Sequence, residues 1–251
     1  MNILIMKRIF CLVMAAVMVL AVSCKQDNPK GKYGVDGKTP LPEAVDLGLS
    51  VKWASFNLGA SRPEAYGDYY AWGETEPKRD YSWSTYRFGF TPQGPFSKYN
   101  TQSSYGPVDN NIKLDTGPGG DDVASKKLGG NWRMPTLDDF NELLALKDEA
   151  AKENSDYTWD KWAEVKDANG NGVHGLLITR KSTGATLFLP AAGYYNDIVL
   201  QGEGSAGRYW SSSLYLEFPD NAYRLYFGTS DPCCNTYLRH SGLSIRPVCA
   251  E

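Results

Sequence analysis

The chain has 251 residues, a formal charge of −3 and an aromatic content of 13%. Its 16 Tyr, 7 Trp, 25 Gly and 14 Pro describe a loop-rich, strand-heavy domain rather than a helical bundle. Without the N-terminal leader, 24 of the 26 basic residues face all 29 acidic ones. That leaves no basic surplus to neutralise phosphates and excludes nucleic acid as a partner.

The leader comes first. Lys7 and Arg8 precede an apolar run over residues 9–22, too short to span a bilayer but fitting the core of a signal peptide. The run ends in Leu20-Ala21-Val22-Ser23-Cys24, which resembles a bacterial lipobox, although Leu20 lies one place further from the cysteine than usual. Residues 1–23 are therefore read as a lipoprotein signal peptide, with Cys24 as the lipidated mature N-terminus. An ordinary secretory signal with an incidental Cys24 is the alternative. Asp27, close to the anchor, resembles surface-export signals of some Gram-negative lipoproteins, so the expected location is the outer membrane, facing out.

Residues 24–42 read as a flexible linker. Gly31, Gly34 and Gly37 recur every third position, but three units are too few for a collagen helix. Residues 43–251, roughly 210 of them, are enough for one domain with a substantial core.

Ala44 to Ala54 reads as strand, Gly-containing turn and strand, and residues 67–74 as a short aromatic strand. Residues 79–118 show no sustained period, which implies packed loop with small pieces of structure. Asp121-Asp122 opens a short helix. Thr136, with Asp139 three residues on, caps a longer helix to about Lys152, whose apolar face is Leu137, Phe140, Leu143 and Leu144. The acidic pairs Asp121-Asp122 and Asp138-Asp139 suit helix N-termini without any catalytic role.

Residues 159–165 and 173–180 read as strands around Asp167-Ala168-Asn169-Gly170-Asn171-Gly172. That hexapeptide looks like the start of a calcium loop, but Ile178 stands where a bidentate Glu is needed. Asn-Gly is a strong hairpin signal, so a turn is expected. Residues 185–191 form another strand.

The C-terminal part alternates framework with insert. Tyr209-Trp210-Ser211-Ser212-Ser213, Ala222-Tyr223-Arg224-Leu225-Tyr226-Phe227 and Gly242-Leu243-Ser244-Ile245-Arg246-Pro247-Val248 read as strands. Residues 214–221 and 228–241 read as loops carried on that scaffold.

Beyond the leader, the cysteines are Cys233, Cys234 and Cys249. Adjacent cysteines rarely bridge each other, and either of the first two could bridge Cys249 with one left over. No Cys or His cluster accompanies them, so no metal and no cofactor is expected.

In order, Glu43 to Gly59, Gly67 to Glu74, Asn131 to Thr136, Leu189 to Tyr194 and the three C-terminal framework pieces resemble the Fibrobacter succinogenes major paralogous domain. The resemblance covers nearly all of residues 43–248. It implies an α+β domain of C-type-lectin-like fold: mostly antiparallel strands, one or two helices and long loops. Trp132-Arg133-Met134-Pro135-Thr136 also looks like a segment of formylglycine-generating enzymes, which share that fold. The C-terminal layout is similar to variable proteins of diversity-generating retroelements. There, mutated Asn codons cannot yield Lys, Glu, Gln, Met or Trp, and residues 228–241 contain none of these. An ordinary undiversified loop explains the segment equally well.

Fold does not carry function. The residue types point to a binding module rather than an enzyme. Expected ligand contacts are Tyr195, Asn196 and Asp197; then Leu214, Tyr215, Phe218 and Asp220; then Thr229, Asp231, Asn235, Tyr237, Arg239 and His240. Aromatic and cationic groups of this kind dominate binding hot spots. Tyr215 and Phe218 could instead pin their own loop. The expected partner is an extracellular protein or glycan, with the membrane reached through the lipid anchor. Calcium-dependent sugar binding is disfavoured, because neither Glu-Pro-Asn nor Trp-Asn-Asp occurs. No catalytic residue is expected: the cysteines fall in an insert, and His174 and His240 lie in no recognisable motif. A structural or tip component of a surface assembly is the alternative reading. Trp53, Trp72, Trp132 and Trp210 are expected in the core, with Arg246 paired or stacked nearby.

Overall fold

The computed structural model describes residues 32–89 and 95–250. The leader, Cys24 and the first part of the linker lie outside the described residues. No helix among the described residues is long and apolar enough to cross a membrane.

β1 (Ala44–Val45) and β2 (Val51–Ala54) form the expected hairpin. α1 (Val123–Leu128) and β3 (Trp132–Arg133) lead into α2 (Leu137–Ala150). β4 (Tyr157–Lys166), β5 (Gly172–Arg180) and β6 (Ala185–Pro190) make an antiparallel meander. β7 (Tyr194–Asn196) and β8 (Val199–Gln201) make a small hairpin. β9 (Gly207–Leu214), β10 (Asn221–Phe227) and β11 (Cys233–Leu238) form a second antiparallel sheet in the order β11-β10-β9. β12 (Val248–Ala250) returns the chain end between β2 and β3, completing the sheet β1-β2-β12-β3. The domain is thus α+β and mostly antiparallel.

Local chemistry explains the helices. Thr136 Oγ1 accepts from the Asp139 N–H at 3.2 Å, and the Asp139 carboxylate accepts from the Thr136 N–H at 2.6 Å, closing a capping box. Phe140, Leu143 and Leu146 turn one face of α2 inward. Asp122 caps α1 through Ser125 N–H at 2.9 Å and also accepts from Met134 N–H at 2.8 Å, tying α1 to β3. At Asp167 the carboxylate accepts from Asn169 N–H, Asn171 N–H and the Asn171 amide, so this hexapeptide is a self-bonded turn.

Asp122 also sets a pH dependence. Burial pushes its carboxyl up to about 6, although the two N–H donors favour the ionised form. A folded value above the unfolded 3.8 means that the folded chain holds this proton longer. The contribution of Asp122 is therefore most favourable below pH 3.8 and declines as the pH rises to about 6, by about 3 kcal/mol. Urea unfolding of wild type and Asp122→Ala across this range should show the difference between the two curves narrowing with rising pH. A constant difference would contradict this reading.

β-strand alternation divides the core in two. Along β9, Trp210 enters one cluster with Tyr70, Trp72 and Trp132, while Tyr209 enters another with Trp53, Phe140 and Leu225. Trp53, Trp72, Trp132 and Trp210 are all buried, and so is Arg246, which donates to Asn57 Oδ1 and to the carbonyls of Ala54 and Phe188.

Four expectations change. Residues 67–74 are not a strand: Gly67 and Gly73 sit at φ +72° and +78°, outside pleated geometry, and only Tyr70 forms a bridge, to Leu243. Residues 32–41 are not a free spacer. Tyr33 bridges Pro40, and Asp36 N–H donates to Lys127 O on α1. Residues 242–244 form isolated bridges and residues 245–247 carry no strand pairing before β12, so this piece is not one strand. Cys233 and Cys234 are both free, so neither bridges Cys249.

Candidate ligand-binding face

The insert at residues 228–241 is the main departure from the expected loops. Its centre is β11, hydrogen-bonded along β10 from Asn221↔Leu238 to Tyr226↔Cys233. In a strand, alternate side chains take opposite faces. Tyr209, Leu225, Phe227 and Cys234 go to the rear, into the core beside α2. The front carries Arg208 and Trp210 from β9, Arg224 and Tyr226 from β10, and Cys233, Asn235 and Tyr237 from β11, paired in register across the three strands. The rung through Trp210, and the next through Ala222, Leu214 and Tyr237, run into the first core cluster. The rung of Arg208, Tyr226 and Cys233 is half-open, with Arg208 and Tyr226 partly exposed and Cys233 exposed, and Asn235 and Tyr237 at the β11 edge of the other two rungs are partly exposed as well.

β7 closes over this corner. The Arg208 guanidinium lies 3.6 Å from the Tyr194 ring centroid and 5.3 Å from that of Tyr237. Arg224 lies 4.0 Å from the Tyr237 ring, and both arginines lie 5.5 Å from Tyr226. Tyr237 donates to the Tyr194 hydroxyl at 3.1 Å, and Tyr194 donates to Gln201 Oε1 at 2.7 Å. Arg224 Nε donates to Asn235 Oδ1 at 2.9 Å. Planar guanidinium groups stack on aromatic faces in this way.

The electrostatics are unbalanced. Among the described residues no carboxylate forms an ion pair with Arg208 or Arg224. Arg208 Nε and Arg224 Nη1 are buried without a hydrogen-bond partner. Burial, and then the charge of Arg208, bring Arg224 down to about 10. Burial, followed by its bond to Tyr194, raises Tyr237 above its ordinary value.

The expected contacts distribute unevenly around this face. Asn235 and Tyr237 belong to it. Asn196 and Asp197 form the tip of the β7–β8 hairpin, with Asp197 at φ +53° and Ile198 70% exposed. Tyr195 is half-buried between Tyr81 and Tyr69. Tyr215 hydrogen-bonds Glu217 and packs on Phe218 and Tyr223, holding its own loop while leaving Phe218 exposed. Asp220 holds the β10 end through Asn221. Thr229 is exposed, and Asp231 is exposed and paired with Lys147 and Lys161, which pull its carboxyl down to about 2.

Leu214, Arg239 and His240 are corrections. Leu214 is packed in the core at 2% exposure. Arg239 is fully buried, hydrogen-bonded to the Tyr86 hydroxyl and to the carbonyls of Lys98, Tyr99 and Pro219. His240 is buried against Trp83 and hydrogen-bonded to Tyr81 O, and burial lowers its pKa. All three are structural because they join the long loop of residues 79–118 or the strand ends to the core. Arg208, Arg224, Tyr226 and Tyr194 are functional candidates that sequence reasoning missed. The alternation of β10 carried the signal, since Arg224 and Tyr226 fall opposite Leu225 and Phe227.

A concavity of about 420 Å³ lies away from this face, between residues 62–66 and the turn near Asp167. Among the described residues, no group of three or more His, Cys, Asp or Glu could hold a metal ion. Burial raises the Cys234 thiol to about 12, far from a reactive thiolate. A scan of the chain against protein-family models and searches of curated proteins and of solved structures return no match.

Proposed function

We propose that this chain is a non-enzymatic, lipid-anchored binding domain of C-type-lectin-like fold, similar to the Fibrobacter succinogenes major paralogous domain. It faces outward from the outer membrane through Cys24 and meets an extracellular protein or glycan. The ligand contacts the front of β9–β11 and the adjoining β7–β8 hairpin. The observation that carries this reading is the front corner itself: two arginines stacked on three tyrosines, partly open to solvent, with guanidinium N–H groups unused. Arg and Tyr in desolvated, preorganised clusters are what binding hot spots are made of. The mixed α+β, antiparallel architecture is compatible with the fold and supports it no further.

Full-length protein in detergent, probed on arrays of glycans and extracellular proteins, tests this. Selective binding that weakens at least about tenfold in Tyr237→Ser, the size of a hot-spot loss, is expected. Binding unaffected by changes on this face, or none at all, would overturn it.

A further inference from the structure

Arg208 and Arg224 occupy diagonal positions on neighbouring strands, Arg208 paired with Tyr226 and Arg224 with Trp210. Like charges at such positions repel. Each guanidinium also keeps a buried nitrogen without a partner, which is unfavourable in a folded protein. Among the described residues no carboxylate pairs with either arginine to offset this. Tyr194, Tyr226 and Tyr237 offer ring faces, and Asn235 offers an amide whose oxygen already accepts from Arg224. One oxyanion at the half-open corner, where Arg208 is partly exposed, would offset the repulsion and supply the charged partner that neither guanidinium has among the described residues. The fork of N–H donors on Arg suits a planar carboxylate.

We propose that the Arg208–Arg224 corner is a binding site for the carboxylate of an acidic saccharide, a uronic acid unit of a glycan chain. This rests on the front of β9–β11 being the ligand face and names its ligand class. A saccharide suits the surroundings better than a peptide end. The half-exposed rings of Tyr226 and Tyr237 present flat apolar surface to the C–H face of a sugar ring. Between them, the tyrosine hydroxyls and the Asn235 amide can exchange hydrogen bonds with sugar hydroxyls. The acidic balance of the whole chain gives no long-range attraction for polyanions, so recognition is local to this corner and to one charged group at a time.

The test is calorimetric titration of full-length protein in detergent with four probes. These are oligogalacturonate, its methyl ester, a neutral oligosaccharide of the same length, and a peptide with a free C-terminal carboxylate. Oligogalacturonate is expected to bind, weaken with added salt, and lose affinity on esterification. Arg208→Gln should weaken it about tenfold or more, the loss expected for one charge-assisted hydrogen bond. Arg208→Lys should recover part of that loss, because it restores charge without the fork. Arg208 is partly exposed, and unchanged thermal unfolding of both variants shows that folding is intact. Equal binding of the ester and the neutral oligosaccharide, still sensitive to Tyr237→Ser, would overturn the carboxylate site and leave the ligand face standing. Binding of the peptide alone would overturn the saccharide assignment. Failure of every probe here, together with no array binding that depends on the face, would remove both.

Discussion

Arg239→Leu should destabilise the protein by about 4 kcal/mol, a drop of about 8–16 °C in Tm for a domain of this size. The side chain is fully buried, and its guanidinium holds three separate stretches together. Nε donates to the Tyr86 hydroxyl at 2.9 Å, and Nη1 donates to Tyr99 O at 3.0 Å and Pro219 O at 2.7 Å. It also stacks on Phe96 at 4.4 Å and Trp72 at 4.9 Å. Leucine fills part of the space but leaves buried acceptors without donors, and each such group is expensive. Lysine should not rescue the loss, because a single ammonium cannot reach acceptors spread around a planar fork. The effect should be local as well as global. The described part of residues 79–118 has little regular structure of its own, two single 3₁₀ turns apart, so limited proteolysis should open there first. A variant that melts within about 2 °C of wild type, a shift worth less than about 1 kcal/mol, would show that Arg239 is not the pin described.

Arg246→Met should cost about 3 kcal/mol, for opposing reasons that can be weighed. Removing a buried charge relieves its desolvation, and burial already brings this guanidinium down to about 10. Against that, three acceptors lose their donor: Asn57 Oδ1 at 2.9 Å, Ala54 O at 3.0 Å and Phe188 O at 2.8 Å. Ala54 ends β2 and Phe188 lies in β6, so the side chain joins two sheets. Asn57 is fixed in turn by donating to Tyr66 O and the Tyr209 hydroxyl. Three orphaned acceptors outweigh one relieved charge, so the net sign is destabilising. Unlike Arg239→Leu, the loss should appear as a single cooperative shift in urea without early proteolysis at residues 79–118. Stability equal to wild type would mean that charge relief dominates.

Much of the scaffold was legible because its cues are local. The Thr136 and Asp139 capping box, the Asn-Gly turn of β4–β5 and the β1–β2 hairpin are all written within a few residues. The four core tryptophans lie in short motifs legible in the sequence and are buried as expected. β11 was not legible, since Cys233–Leu238 lacks a clear apolar alternation and becomes a strand through pairing with distant β10. The same holds for Arg239: in sequence it is one cation in a polar insert, and its burial comes from aromatic residues more than 130 positions away. Among the site residues, Tyr237 and Asn235 were found by type. Arg224 sits in a strand read as framework, where an arginine normally finds an acid, and Arg208 lies just ahead of another such piece. That neither finds one among the described residues is a property of the fold and has no sequence signature.

Hydrogen exchange of full-length protein, with and without the strongest array binder, locates the ligand face most directly. Protection is predicted across β9–β11 and in residues 194–201, with the turn near Asp167 unchanged. Protection at residues 62–66 and that turn, with β9–β11 unaffected, would place the ligand in the concavity there and contradict the binding face described.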